Sequence, residues 1–152
     1  MAVPFVANAD LVCSTGRLLE VSGYTLTNSL SAEVQSGEMN VILSDASGVV
    51  FDKHCGLIGK IVKTTATGST SWLDHTVICG ANDSFNTSLD KADVLGVAYP
   101  LISVHEVVSR IKNSKGFFEG MQAEIFADGT LNFATGVNSF QLSGQVCLTN
   151  NN

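Results

Sequence analysis

Leu57-Ile58-Gly59-Lys60-Ile61-Val62-Lys63-Thr64-Thr65 stops at Thr67-Gly68-Ser69 and is answered by Ser71-Trp72-Leu73-Asp74-His75-Thr76-Val77-Ile78-Cys79. β-branched residues suit a pleated, half-buried surface. A glycine between hydroxyl residues turns the chain. The pair reads as strand, turn, strand. The same punctuation recurs outward. On the N-terminal side, 49–51 is a strand preceded by the turn Asp45-Ala46-Ser47-Gly48, and 39–43 sets Met39, Val41 and Leu43 on one face. The run 17–26 holds Leu19, Val21 and Tyr24. On the C-terminal side, Gly80-Ala81-Asn82-Asp83 turns into a short strand at 84–88, and 89–94 reads as a helical turn. A strong strand at 102–111 meets a turn at Asn113-Ser114-Lys115-Gly116. A strand at 121–126, a turn at Ala127-Asp128-Gly129, and strands at 130–133 and 137–148 complete the chain. No segment carries a sustained 3.6-residue period, so the expectation is all-β. About eight strands in one small domain favour a closed antiparallel barrel, because closure removes exposed edges. A β-sandwich is the alternative.

The 152 residues give a prior of one domain, expected over 10–150. Charged residues are 14% and mean hydropathy is +0.26, which excludes disorder as the general state. Net charge is −6 with eight scattered Lys and Arg. Nucleic-acid binding rests on clustered cations and is excluded. An anionic membrane is a poor partner for the same reason, and no apolar run approaches ~20 residues. Residues 1–9 lack a basic n-region and read as an apolar arm or a signal remnant ending in Ala7-Asn8-Ala9. The compartment stays open between secreted and cytoplasmic.

Cysteines at 13, 55, 79 and 147 form no C-x-x-C, so a zinc site is not expected. Four cysteines allow three pairings. Cys13–Cys147 is the favoured candidate if the chain's ends meet in a closed sheet. Buried free cysteine is the competing reading.

From Gly56-Leu57-Ile58-Gly59-Lys60 onward the order of motifs is suggestive. His75-Thr76-Val77-Ile78, Asp83-Ser84-Phe85-Asn86-Thr87 and 106–111 lead to Asn113-Ser114-Lys115-Gly116-Phe117-Phe118-Glu119-Gly120-Met121. Gly129-Thr130-Leu131-Asn132-Phe133-Ala134-Thr135-Gly136 and Gly144-Gln145-Val146-Cys147 close the series. This series resembles the allene oxide cyclase and dirigent-like β-barrels, including barrels of the spirotetronate-cyclase type. The resemblance covers roughly 60% of the chain and lies mostly in its turns. The family's G-x-G-x-F-x-x-A-x-G turn is matched without its first glycine. The resemblance implies an eight-stranded barrel with a lined cavity, no cofactor, and a homodimer or homotrimer. The acidic catalytic positions of plant allene oxide cyclases have no counterpart here, so none is carried over.

Chemistry is sought residue by residue. His75 shares a face with Leu73, Val77 and Cys79 by strand alternation, where it is a general-base candidate or a satisfied core histidine. Glu106 lies between Val104 and Val108, where apolar neighbours raise a carboxyl pKa; an ion pair with Arg110 is the competing role. Asp74 is the third catalytic candidate, because a one-residue slip exchanges it for His75. Tyr24, Trp72, Tyr99, Phe133 and Phe140 are the candidate substrate-binding walls, against a core-packing role. No H-x-H or H-x-x-x-H pair occurs, so no metal is expected. The leading expectation is a cofactor-free cyclase or isomerase that steers a small, mostly apolar polyketide-, terpene- or fatty-acid-derived molecule in the barrel lumen. A non-catalytic, lipocalin-like binding protein and a structural or surface assembly protein are the alternatives. Both ligand readings call for a cavity of about 300 Å3 or more.

Overall fold

The computed structural model describes residues 11–14 and 16–149; the arm at 1–9 lies outside them. Ten antiparallel strands form one sheet: β1 (Arg17–Ser29), β2 (Val34–Asp45), β3 (Gly48–Thr64), β4 (Thr70–Ile78), β5 (Ser84–Thr87), β6 (Asp90–Ala98), β7 (Leu101–Val108), β8 (Ile111–Lys115), β9 (Gln122–Asn132) and β10 (Val137–Leu148). A 3-10 turn, Gly116–Phe118, follows β8. The all-β expectation holds. The order β3-β2-β1-β10-β9-β7-β6-β4, with β4 pairing back onto β3, makes a ring of eight strands. β5 and β8 are a side branch joined to β4.

The opening run belongs to a single long β3, which pairs with β2 over 48–60 and with β4 over 56–64. The segment 89–94 is strand rather than helical turn. Leu89 takes a left-handed φ of 53° at a tight corner, and Asp90 then pairs with Leu73. The segment 102–111 is divided: β7 ends at Val108, and Ile111 begins β8 against β5. Residues 113–115 therefore lie in strand, and the turn falls at Gly116. No turn forms at 127–129. Gly129 pairs with Phe140 and Val104 inside β9, where a Cβ would stand 1.9 Å from the Ser139 carbonyl oxygen. That glycine serves close strand approach rather than reversal.

Alternation places the core on one face of the ring. Leu19, Val21, Leu43, Met121, Ala123, Val146 and Leu148 fill one end. Phe118, 1% exposed, packs edge-on to Phe51 and Phe85 there, so the chain re-enters the core directly after the Gly116 turn. Past Gly23, whose φ of 120° bends β1, the inward residues become Thr25 and Thr27. Two disulfides are present, Cys13–Cys147 and Cys55–Cys79. The second joins the middle of β3 to the residue just after β4, a pairing that sequence spacing did not single out.

Candidate functional site

β4 changes partner along its length. Thr70–Leu73 pairs with β6, whereas Thr76–Ile78 pairs with β5. His75 stands at this fork, opposite the Ser88–Leu89 corner that joins β5 to β6. The Leu89 N–H donates to the Asp74 carboxylate at 2.9 Å, which pins the corner. Thr87 and Asp90, on either side of the corner, are thereby brought to His75.

His75 Nδ1 lies 2.6 Å from Asp90 Oδ2, an acceptor that fixes a proton on Nδ1. The same carboxylate oxygen accepts the Thr87 hydroxyl, and Thr87 Oγ1 accepts the His75 backbone N–H at 3.1 Å. The other face of the imidazole rests on Gly59, where a Cβ would come within 2.9 Å of Nε2. Glu106, on β7, brings Oε1 to 3.5 Å from His75 Nδ1. The Asp90 side chain is fully buried and that of Glu106 is 10% exposed. Asp90 Oδ1 and Glu106 Oε1 have no hydrogen-bond partner among the described residues. Leaving such oxygens unmatched costs more than an ordinary hydrogen bond contributes, so both mark the place where a proton or a ligand belongs.

The electrostatics follow from burial. Desolvation disfavours the imidazolium of His75, but the charges of Glu106, Asp90 and Asp74 and the Asp90 hydrogen bond outweigh it, and its pKa rises above the usual histidine value. Burial pushes the Glu106 carboxyl up, reinforced by the Asp90 charge and opposed by His75 and His105. The potential ligand atoms of His75, Asp90 and Glu106 all lie within 4.8 Å of one another, so these three are the residues that could hold a metal ion. The 2.6 Å Nδ1–Oδ2 distance is that of a hydrogen bond, and a cation would have to displace its proton.

His75, Thr87 and Glu106 border a cavity of about 50 Å3 whose walls include Met39, Leu57, Val77, Phe85, Ile125 and Phe140. That is room for about four waters at roughly 10–15 Å3 each. It is well short of the ~300 Å3 that the ligand readings called for. A large polyketide or terpene does not fit inside it.

The expected site residues divide accordingly. His75, Glu106 and Phe140 meet at the cavity. Asp74 is exposed on the opposite face and holds the corner instead. Tyr24 packs edge-on to His54 away from the cavity, Trp72 lies under the Lys63 ammonium, and Tyr99 and Phe133 are 78% and 61% exposed. These four do not line the cavity. Arg110 lies beyond the end of β7 and is exposed, so the competing ion pair with Glu106 does not form. Asp90, Thr87 and Gly59 were missed. One signal existed: read as strand, 90–94 puts Asp90 on the face of Ala92 and Val94. Comparison with protein-family models, curated proteins and solved structures found no match.

Proposed function

We propose that this protein is a cofactor-free proton-transfer enzyme of the isomerase or cyclase kind, acting on a small uncharged carbonyl compound or on the carbonyl end of a larger one. The observation that carries this reading is the buried His75–Asp90 pair with the unpartnered Glu106 oxygen beside it, open to an apolar cavity. The ring of eight strands is read here as a closed barrel of the allene oxide cyclase or dirigent type, with the cavity in its lumen. Asp90 keeps His75 protonated and oriented, and Nε2–H, which has no hydrogen-bond partner among the described residues, donates to the substrate carbonyl oxygen. Glu106, its pKa raised by burial, takes a proton from the carbon α to that carbonyl. The C–H electron pair passes into an enolate whose oxygen is held by His75. Return of the proton to another carbon completes an isomerisation, and attack of the enolate carbon on an internal electrophile completes a cyclisation. Butan-2-one in D2O tests the first half-reaction, since its α-protons exchange visibly by NMR. Exchange above the buffer rate, reduced about 100-fold or more by Glu106→Gln and by His75→Ala, is expected. Equal exchange by the wild type and both variants would remove the reading.

A second reading, assembly, is favoured by the exposed Leu95, Val97, Tyr99 and Leu101 on the β6–β7 hairpin, adjoined by Phe133. The homodimer or homotrimer expectation attaches to this patch, and the solution mass of the wild type against Val97→Lys tests it. The two disulfides support maturation in an oxidising compartment.

A further inference from the structure

The strand order carries a consequence for what the cavity binds. Counting from β1 through β10, β9 and β7 reaches β6 in four steps, and counting through β2, β3 and β4 also takes four. β6 therefore stands opposite β1. Asp90 is on β6, with His75 and Glu106 on the strands to either side. Thr25 and Thr27 are on β1, and Gln35 is on the adjoining β2; all three line the same cavity as His75 and Glu106.

Both threonines are buried, at positions where the same face of β1 carries Leu19 and Val21 nearer the other end. Their hydroxyls are not consumed symmetrically. The Asn138 amide, itself 1% exposed, donates to Thr27 Oγ1 at 3.4 Å and to Ser29 Oγ at 3.1 Å. Thr27 Oγ1 in turn donates to Gln35 Oε1 at 3.4 Å. This relay spends the Gln35 carbonyl and leaves its NH2 as an unused donor. The Thr25 hydroxyl makes no hydrogen bond among the described residues. Apolar walls, among them Met39, Phe140 and Ile125, lie between this polar group and the His75–Glu106 pair. Among the described residues no Lys or Arg lines the cavity.

We infer that the cavity is bipolar and takes a short uncharged hydroxy-carbonyl compound, its carbonyl at His75 and Glu106 and its hydroxyl at Thr25 and Gln35, with an apolar middle. The inference rests on the proposed carbonyl chemistry of the same site, but it adds the second anchoring point and excludes anionic ligands. The His75 charge is already matched by the Asp90 and Glu106 carboxylates beside it, so a carboxylate or phosphate entering this apolar space would be left unpaired.

Titration of the folded protein with 4-hydroxybutan-2-one, butan-2-one and acetoacetate, followed by amide chemical shifts, tests the assignment. The hydroxyketone is expected to bind about fivefold more tightly than the plain ketone, the effect of one net hydrogen bond. Thr25→Val and Gln35→Leu should each erase that preference, the hydroxyketone then binding no more tightly than butan-2-one. Acetoacetate should bind more weakly than either ketone. Equal affinity for the two ketones, a preference surviving both substitutions, failure of either ketone to bind, or acetoacetate binding as well as the hydroxyketone overturns the inference. A wild type that shows α-proton exchange but no preference for the hydroxyketone overturns the second pole alone. Lost exchange with the preference intact overturns only the proton-transfer reading.

Discussion

His75 and Glu106 both have raised pKa values, and that sets a pH signature. Glu106 acts as a base only when ionised, so the rising limb of activity should lie above the ordinary carboxylate value of 4.5. His75 donates only when protonated, so the falling limb should lie above the ordinary histidine value of 6.5. A bell displaced upward on both sides is expected in the α-exchange rate of butan-2-one. Asp90→Asn removes the charge that favours the imidazolium and leaves only a neutral amide beside it, so it should shift the falling limb downward. A falling limb unmoved in that variant would show that Asp90 does not set the protonation of His75. Asp90 acts through His75 and is a positioning residue, so its variant should move the limb more than the binding of the ketone.

At the scale of elements, the site depends on β4 leaving β6 for β5. β3 is the fixed wall of this fork, and Gly59 is the point on that wall where the imidazole rests. Gly59→Ala places a methyl group 2.9 Å from Nε2 and Cδ2, closer than side chains pack, so the ring must shift from the position in which it meets Asp90. Loss of most of the exchange activity is expected, with a melting temperature changed by only a few degrees. An alanine variant as active as the wild type would mean that the observed ring position is not the working one.

The same fork explains what the sequence discloses and what it hides. Alternation along 71–79 puts His75 with Leu73 and Val77, and alternation along β7 puts Glu106 with Val104; both survive in the structure because those strands are regular. Asp90 was obscured because Leu89 is a non-glycine residue in a left-handed conformation. Such a corner carries no signature like Asn-Gly, so a strand start looked like a helical turn. Asp128-Gly129 has that signature and is not a turn at all, since the glycine there is required by backbone approach. Tyr24, Tyr99 and Phe133 were attractive as pocket walls because buried aromatics usually are. Which face of a strand points inward is set by the whole ring, through bulges such as the one between Val94 and Gly96.

At the scale of the molecule, the buried cluster couples stability to pH. His75 and Glu106 each bind protons more tightly in the folded chain than in the unfolded one. Their contributions are full below the unfolded values and are lost as pH rises through the folded ones. The denaturant midpoint should therefore fall between pH 5 and pH 8, and Glu106→Gln should flatten that slope. A midpoint rising over this range, equally in wild type and variant, would contradict the assignment. Asp45 works in the opposite sense. The Ser47 hydroxyl and the Arg17 guanidinium hold its carboxyl down at about 2, so its contribution is lost only in strong acid. The disulfides are unequal in what they constrain. Cys13 and Cys147 are 134 residues apart and Cys55 and Cys79 only 24. On chain-entropy grounds, replacing the first pair by alanine should cost about 1–2 kcal/mol more than replacing the second. Paired denaturant titrations of the two double variants measure that difference.

The pairing of Arg17 with Leu148 means that the first and last strands of the ring are neighbours, clasped by Cys13–Cys147. In topological terms the ring is nearly indifferent to where the chain is cut. A short linker from residue 149 to residue 11 and new ends at the exposed Thr67–Gly68 turn would preserve every strand pairing. Such a permutant keeps His75, Asp90 and Glu106 in one unbroken segment, now with its new start only a few residues upstream of the site.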